Sequence, residues 1–179
     1  MEDTYAVFEE MKQFVQLHDA DVQLLVEARP IFARRGAGIT DGFYDELTRH
    51  KETAAMIEGR VDALKRTHAR WMSELFSGEY GREYFENRLR IGATHVRIGL
   101  DTWWVEGVMS YLRTAGHAAI FAEIPDREAA SRMFSALCKI LDLDLLLINI
   151  AYSEERLDRL TSFTGMSRRL IERCIRKGA

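Results

Sequence analysis

In the segment IGATHVRIGL, residues 91–100, one histidine stands between two Ile-Gly pairs. The surrounding apolar periodicity is helical, and residues three and four apart on a helix share a face. Ile91 and Gly92 therefore lie one turn before His95, with Ile98 and Gly99 one turn after it. An interior glycine costs about 1 kcal/mol relative to alanine, so bare backbone on both sides of an imidazole calls for a reason. One reason is a flat group that must come within bonding distance of the ring. Haem is such a group, because a proximal histidine binds its iron through one nitrogen while the macrocycle packs on apolar side chains. The other reason is a close helix crossing, with the glycines admitting a neighbouring helix and His95 satisfied by a backbone carbonyl. Periodicity leaves both open. A second face holds Leu64, Thr67, His68 and Trp71 at i, i+3, i+4 and i+7.

The elements that must position these residues read as helices throughout. The chain has two prolines, lacks Asn-Gly and Asp-Gly hairpin signals, and repeats apolar residues at three- and four-residue steps. A first helix is expected over about residues 1–17, and a second, capped by Asp19 or Asp21, to about Pro30. GAGIT, residues 36–40, reads as a separator before a helix carrying DGFYDELTRH. Further helices are expected from about Arg60 to Phe76, closed at Gly78, and from about Arg82 to Ile98, closed by Gly99. Asp101 is placed to cap TWWVEGVMSYLRTAGHAAIF, and Pro125 to open a final helix through about Arg159.

With 179 residues and a formal charge of -3, the chain fits one ordinary globular domain, neither a polybasic nucleic-acid binder nor a disordered chain. Cys138 and Cys174 form no CxxC pair and suit a reducing cytoplasm. The acidic, amphipathic start lacks the features of a signal peptide. The most apolar segment contains Lys139, Asp142, Asp144 and Asn149, which argues against a membrane span. A cytoplasmic location is expected.

HVRIGL followed by the aromatic pair of DTWW resembles the proximal-histidine signature of the sensor globins, the haem domains of globin-coupled sensors. FYDEL at 43–47 is similar to the family's distal-tyrosine segment, and LKRTHARWMSELFSG at 64–78 to its long distal helix. The motifs occur in the family's order and span most of positions 40–112. The resemblance implies a globin fold with an extra N-terminal helix, haem b (iron protoporphyrin IX), proximal ligation by His95 and a Tyr44 hydroxyl on the vacant side of the iron. A phenol O–H there favours O2 over CO by donating to the negative end of the bound gas. Without the resemblance, Tyr44 reads as a core tyrosine bonded to a backbone carbonyl. Leu64 and Thr67 match pocket-lining positions, with Thr67 a source of a second hydrogen bond. His68 stands where the family more often has an apolar residue; it is either a solvent-edge or propionate-contacting side chain, or an iron ligand at rest. His18, His50 and His117 are not expected to bind iron. Trp104 departs from the tyrosine often found at its position and cannot donate a phenolic hydrogen bond. The cofactor-contacting set is thus Tyr44, Leu64, Thr67, His68, Ile91, Gly92, His95 and Ile98, with His95 the metal ligand and no catalytic residue.

From Ala136 to Tyr152 the last long helix is apolar nearly all round, as a helix covered on both sides should be. Either it is the central core helix of a monomer, or it is buried against its own core and a second subunit; sensor globins dimerise through their last two helices, and a homodimer is expected. Residues 1–160 then form the sensor globin domain, and 161–179 a tail or a connecting helix to a transmitter domain. Three functions follow. One is a sensor of O2, or of CO or NO, signalling through the dimer bundle. The second is a haem enzyme such as a nitric oxide dioxygenase or peroxidase-like globin, for which no fused reductase or distal acid-base pair is evident. The third is a haem-free interaction scaffold, which has no need for both His95 and Tyr44.

Overall fold

The computed structural model describes residues 4–177, and these are helical apart from short turns. The helices are α1 (Thr4–Phe14), α2 (Asp19–Arg49), α3 (Lys51–Ile57), α4 (Val61–Glu74), α5 (Arg82–Arg97), α6 (Thr102–Glu123), α7 (Arg127–Thr164) and α8 (Arg168–Lys177). The core gathers on α7, which packs against α1, α2, α5 and α6. Phe8, Leu25, Ile120, Ile140 and Leu147 are wholly buried around it.

Three features of the helix boundaries differ from the sequence expectation. α2 runs unbroken through Pro30 and GAGIT. The apolar stripe of Ile31, Phe32, Ile39, Phe43 and Tyr44 continues in register across the glycines, so tertiary burial outweighs their weak helix propensity. Gly36 lies against Met72 of α4 and Gly42 against Tyr111 of α6, so both admit neighbouring helices. At the start of α2 the N-cap position is His18, whose N–H donates to Asp21 at 3.0 Å. At the start of α7, Pro125 stands outside the helix; the cap is Asp126, which accepts from the Glu128 N–H at 2.9 Å.

The all-round apolar character of α7 has an explanation within one chain: α1, α2, α5 and α6 cover it. Two polar residues within its apolar stretch are paired with other helices and turns. Lys139 donates to the Gln16 carbonyl and to Asp21, both at 2.8 Å. Asp144, fully buried, accepts from Trp71 Nε1 at 2.8 Å, from the Tyr84 hydroxyl, and from Arg88 Nε at 2.8 Å. The equally buried Arg88 also donates to Glu74 and lies over the Tyr84 ring at 4.1 Å. α4, α5 and α7 are thereby joined at one point. Beyond Gly165, in the left-handed conformation with φ 69°, α8 folds back on α7 through Arg168, which bonds Glu154 at 2.6 Å.

Removing one partner of a buried ion pair typically costs about 3–5 kcal/mol. Arg88→Met should therefore lower unfolding stability by an amount in that range, whereas Arg88→Met with Asp144→Leu should recover much of the loss. Urea denaturation of both variants checks this.

Candidate functional site

The joint at Asp144 orients both candidate helices. His68 precedes Trp71 by three residues and His95 follows Arg88 by seven; both spacings return to the same helix face. The two histidines thus lie on the faces of α4 and α5 that also carry the joint. α4 packs on α2, while α5 packs on α7 and α1, and the two do not pair along their lengths.

His95 has Nδ1 buried with no hydrogen-bond partner, and burial pushes its pKa down to about 4, so the ring is neutral. The backbone carbonyl that a purely structural histidine would use is missing. Its glycines have separate explanations. A Cβ on Gly92 would stand 2.6 Å from Ala151 Cβ and 2.9 Å from the Ile148 carbonyl oxygen, so Gly92 serves the crossing of α5 with α7 and leaves no open room beside the imidazole. Gly99 has φ +75° and nothing near its missing side chain; it ends α5, with Leu100 N–H donating to the His95 carbonyl at 3.0 Å. Ile91 is half-buried on the main core, and Ile98 is 44% exposed.

On α2 and α4, Tyr44, Leu64 and His68 come together. Tyr44 is buried in a small cluster with Phe43 and Ile57, against which Leu64 packs. Its hydroxyl makes no hydrogen bond, and burial raises its pKa to about 12. The His68 ring meets Tyr44 edge-on at 6.2 Å and lies 5.0 Å from Phe43 and 5.2 Å from Trp71. His68 Nδ1 is 2.9 Å from Thr40 Oγ1, its Nε2 is buried without a partner, and burial lowers its pKa to about 4. Thr67 stands apart: it is exposed, and its hydroxyl donates to the Ala63 carbonyl at 3.1 Å. The polar neighbour in the cluster is Thr40, which lies within α2 and not in a separating loop as GAGIT suggests. His18, His50 and His117 are exposed.

Beside this cluster a cleft of about 200 Å³ opens between α2 and α6, lined by Phe43, Leu47, Trp104, Val108 and Tyr111 with Glu46 and His50. The indole N–H of Trp104 is buried without an acceptor. No three His, Cys, Asp or Glu side chains converge as a metal-binding group among the described residues. The arrangement fits a haem: neutral imidazoles with unpartnered nitrogens, an unpaired phenol and mainly apolar walls.

The Protoglobin family model matches residues 4–158. The chain is 31% identical over 90 residues to the heme-based aerotactic transducer HemAT of Halobacterium salinarum; that match covers 49% of this chain and only 18% of the transducer. Among solved structures, the globin domain of the Geobacter sulfurreducens globin-coupled sensor superposes with a TM-score of 0.77 and 32% identity, over 80% of this chain and 96% of that domain. The helices described above are therefore a globin fold, and the chain belongs to the protoglobin family of sensor globins.

Proposed function

We propose that the chain is the haem-binding gas sensor domain of a signalling protein, with His95 as the iron ligand and O2 as its ligand. The observation that carries this reading is the half-buried, neutral His95, whose Nδ1 is enclosed with no partner, on a helix packed against α7. A haem b held there supplies an iron that takes up a diatomic gas, O2, CO or NO. Tyr44 supplies an unpaired O–H donor on the opposite side, Leu64 an apolar wall, and Ile91 part of the packing around His95. Thr67 contributes only after its hydroxyl leaves the Ala63 carbonyl.

Signalling follows from where α5 is tied. Tyr152 on α7 donates to the Leu100 carbonyl at 2.6 Å, and Gly92 seats α5 directly on Ile148 and Ala151. A shift of α5 at His95 toward or away from α7 thus reaches α7 through backbone contacts, and two arrangements of α7 that differ in gas affinity are coupled to ligand binding. The reading includes a homodimer through α6 and α7; the exposed Leu160 and Phe163 near the end of α7 supply apolar surface for it. Residues 1–160 act as the sensor and 161–179 as the link to a transmitter domain, in the cytoplasm, where Cys138 and Cys174 stay reduced. Among the described residues no helix is long and apolar enough to cross a membrane.

Visible spectra of the purified protein should show a Soret band that shifts when CO is added to the reduced form, lost or deranged in His95→Ala; a folded protein that stays colourless when supplied with haem excludes the reading. Tyr44→Phe should speed O2 dissociation by about threefold to tenfold, the equivalent of one net hydrogen bond, as read by stopped-flow. Sedimentation across a concentration series should show a dimer; a monomer throughout removes the dimer bundle.

A further inference from the structure

Thr40 differs from other helical threonines of the chain. Thr67, Thr94 and Thr114 each donate to the carbonyl four residues earlier, as helical threonines commonly do. Thr40 makes no such bond. Its one partner is His68 Nδ1, at 2.9 Å, and its side chain is only 3% exposed, so water does not complete its bonding.

Either direction of that bond leaves one buried donor without a protein partner: the Thr40 hydroxyl proton if Nδ1 donates to Oγ1, or the Nε2–H if the hydroxyl donates to Nδ1. Two things favour the hydroxyl as donor. Thr40 is the more enclosed of the two groups and has no other acceptor, and a neutral histidine ring intrinsically carries its proton more readily on Nε2. Nδ1 is then the acceptor and the ring proton sits on Nε2. We propose that Thr40 is a positioning residue that holds His68 as the Nε2–H tautomer. His68 then offers the pocket a hydrogen-bond donor beside Tyr44, and its Nε2 lone pair is withheld from the iron. This role toward a bound gas rests on the haem reading above; the tautomer does not.

The same bond explains how a histidine can stand in a haem pocket without closing it. Ligation through Nε2 needs the proton moved to Nδ1, which reverses the Thr40–His68 bond and leaves the enclosed Thr40 hydroxyl proton without an acceptor. Thr40→Val keeps the shape of the side chain and removes that obstacle, whereas Thr40→Ser keeps the hydroxyl.

Two measurements on the full chain test this. Nitrogen-15 NMR of the imidazoles, with CO added to the reduced protein where haem is bound, should show a protonated Nε2 and a bare Nδ1 for His68 in the wild type and Thr40→Ser. The resonance is identified by its loss in His68→Leu. A proton on Nδ1 in the wild type overturns the proposal, with or without haem. In visible spectra of the reduced protein, the wild type and Thr40→Ser should stay high-spin. Thr40→Val should change to the sharp low-spin bands of a haem held by two histidines, and adding His68→Leu should abolish those bands. Low-spin bands in the wild type that vanish in His68→Leu, or a Thr40→Val protein that stays high-spin, overturn it. O2 dissociation should also rise about threefold to tenfold in His68→Leu. A missing Soret band, or one unaffected by His95→Ala, counts against the haem reading and against the donor role; the tautomer is still decided by NMR.

Discussion

The interaction on which the site depends is the buried pair of Arg88 and Asp144. Each charge is fully removed from water, a state that costs several kcal/mol per ion unless the remaining lone pairs and protons are matched. Asp144 is matched by Trp71, Tyr84 and Arg88, and Arg88 by Asp144 and Glu74. Burial raises the pKa of Asp144, and the Arg88 guanidinium opposes that rise. Because these groups come from α4, α5 and α7, satisfying them fixes three helices at one point. From there α4 leads back to His68 and α5 forward to His95, so the faces that carry the imidazoles are set by a polar contact outside the pocket.

Around the pocket, polar satisfaction is uneven. Tyr80, Tyr84 and Tyr152 all find acceptors for their hydroxyls, whereas Tyr44 does not. Lys139, Arg29 and Arg88 are likewise paired. The unpartnered atoms include His68 Nε2, His95 Nδ1 and Trp104 Nε1. Buried polar groups in folded proteins are nearly all hydrogen-bonded; Thr161 Oγ1 near the end of α7 is a further exception, but those on α4, α5 and α6 belong to helices that carry candidate site residues.

Much of this was legible in the residues, and unevenly so. The bounds of α5 and its stop at Gly99 follow from apolar periodicity and from the one conformation glycine adopts at little cost. The all-helical architecture follows in the same way. The continuity of α2 was not readable, because local propensity at Pro30, Gly36 and Gly38 favours a break and only contacts distant in sequence reverse it. Thr40 was hidden for that reason: a residue assigned to a loop has no face. Asp144 drew notice only as a charge in an apolar run. Its partners Trp71, Tyr84 and Arg88 lie 56 to 73 positions away, beyond any spacing rule. Of the glycines flanking His95, Gly99 ends the helix as its position implies, while periodicity leaves two reasons open for Gly92, and only the contact with Ile148 and Ala151 decides for a helix crossing.

The crossing at Gly92 also sets how α5 can move. At that point α5 presents bare backbone to the Ile148 carbonyl and the single methyl of Ala151. There is no side-chain ridge from Gly92 to lock into a groove, so sliding along α7 meets little steric corrugation there. Approach is stopped by backbone contact, and separation opens a void. The contact is stiff against compression and lift but compliant in shear, which makes it a linear bearing, not a hinge.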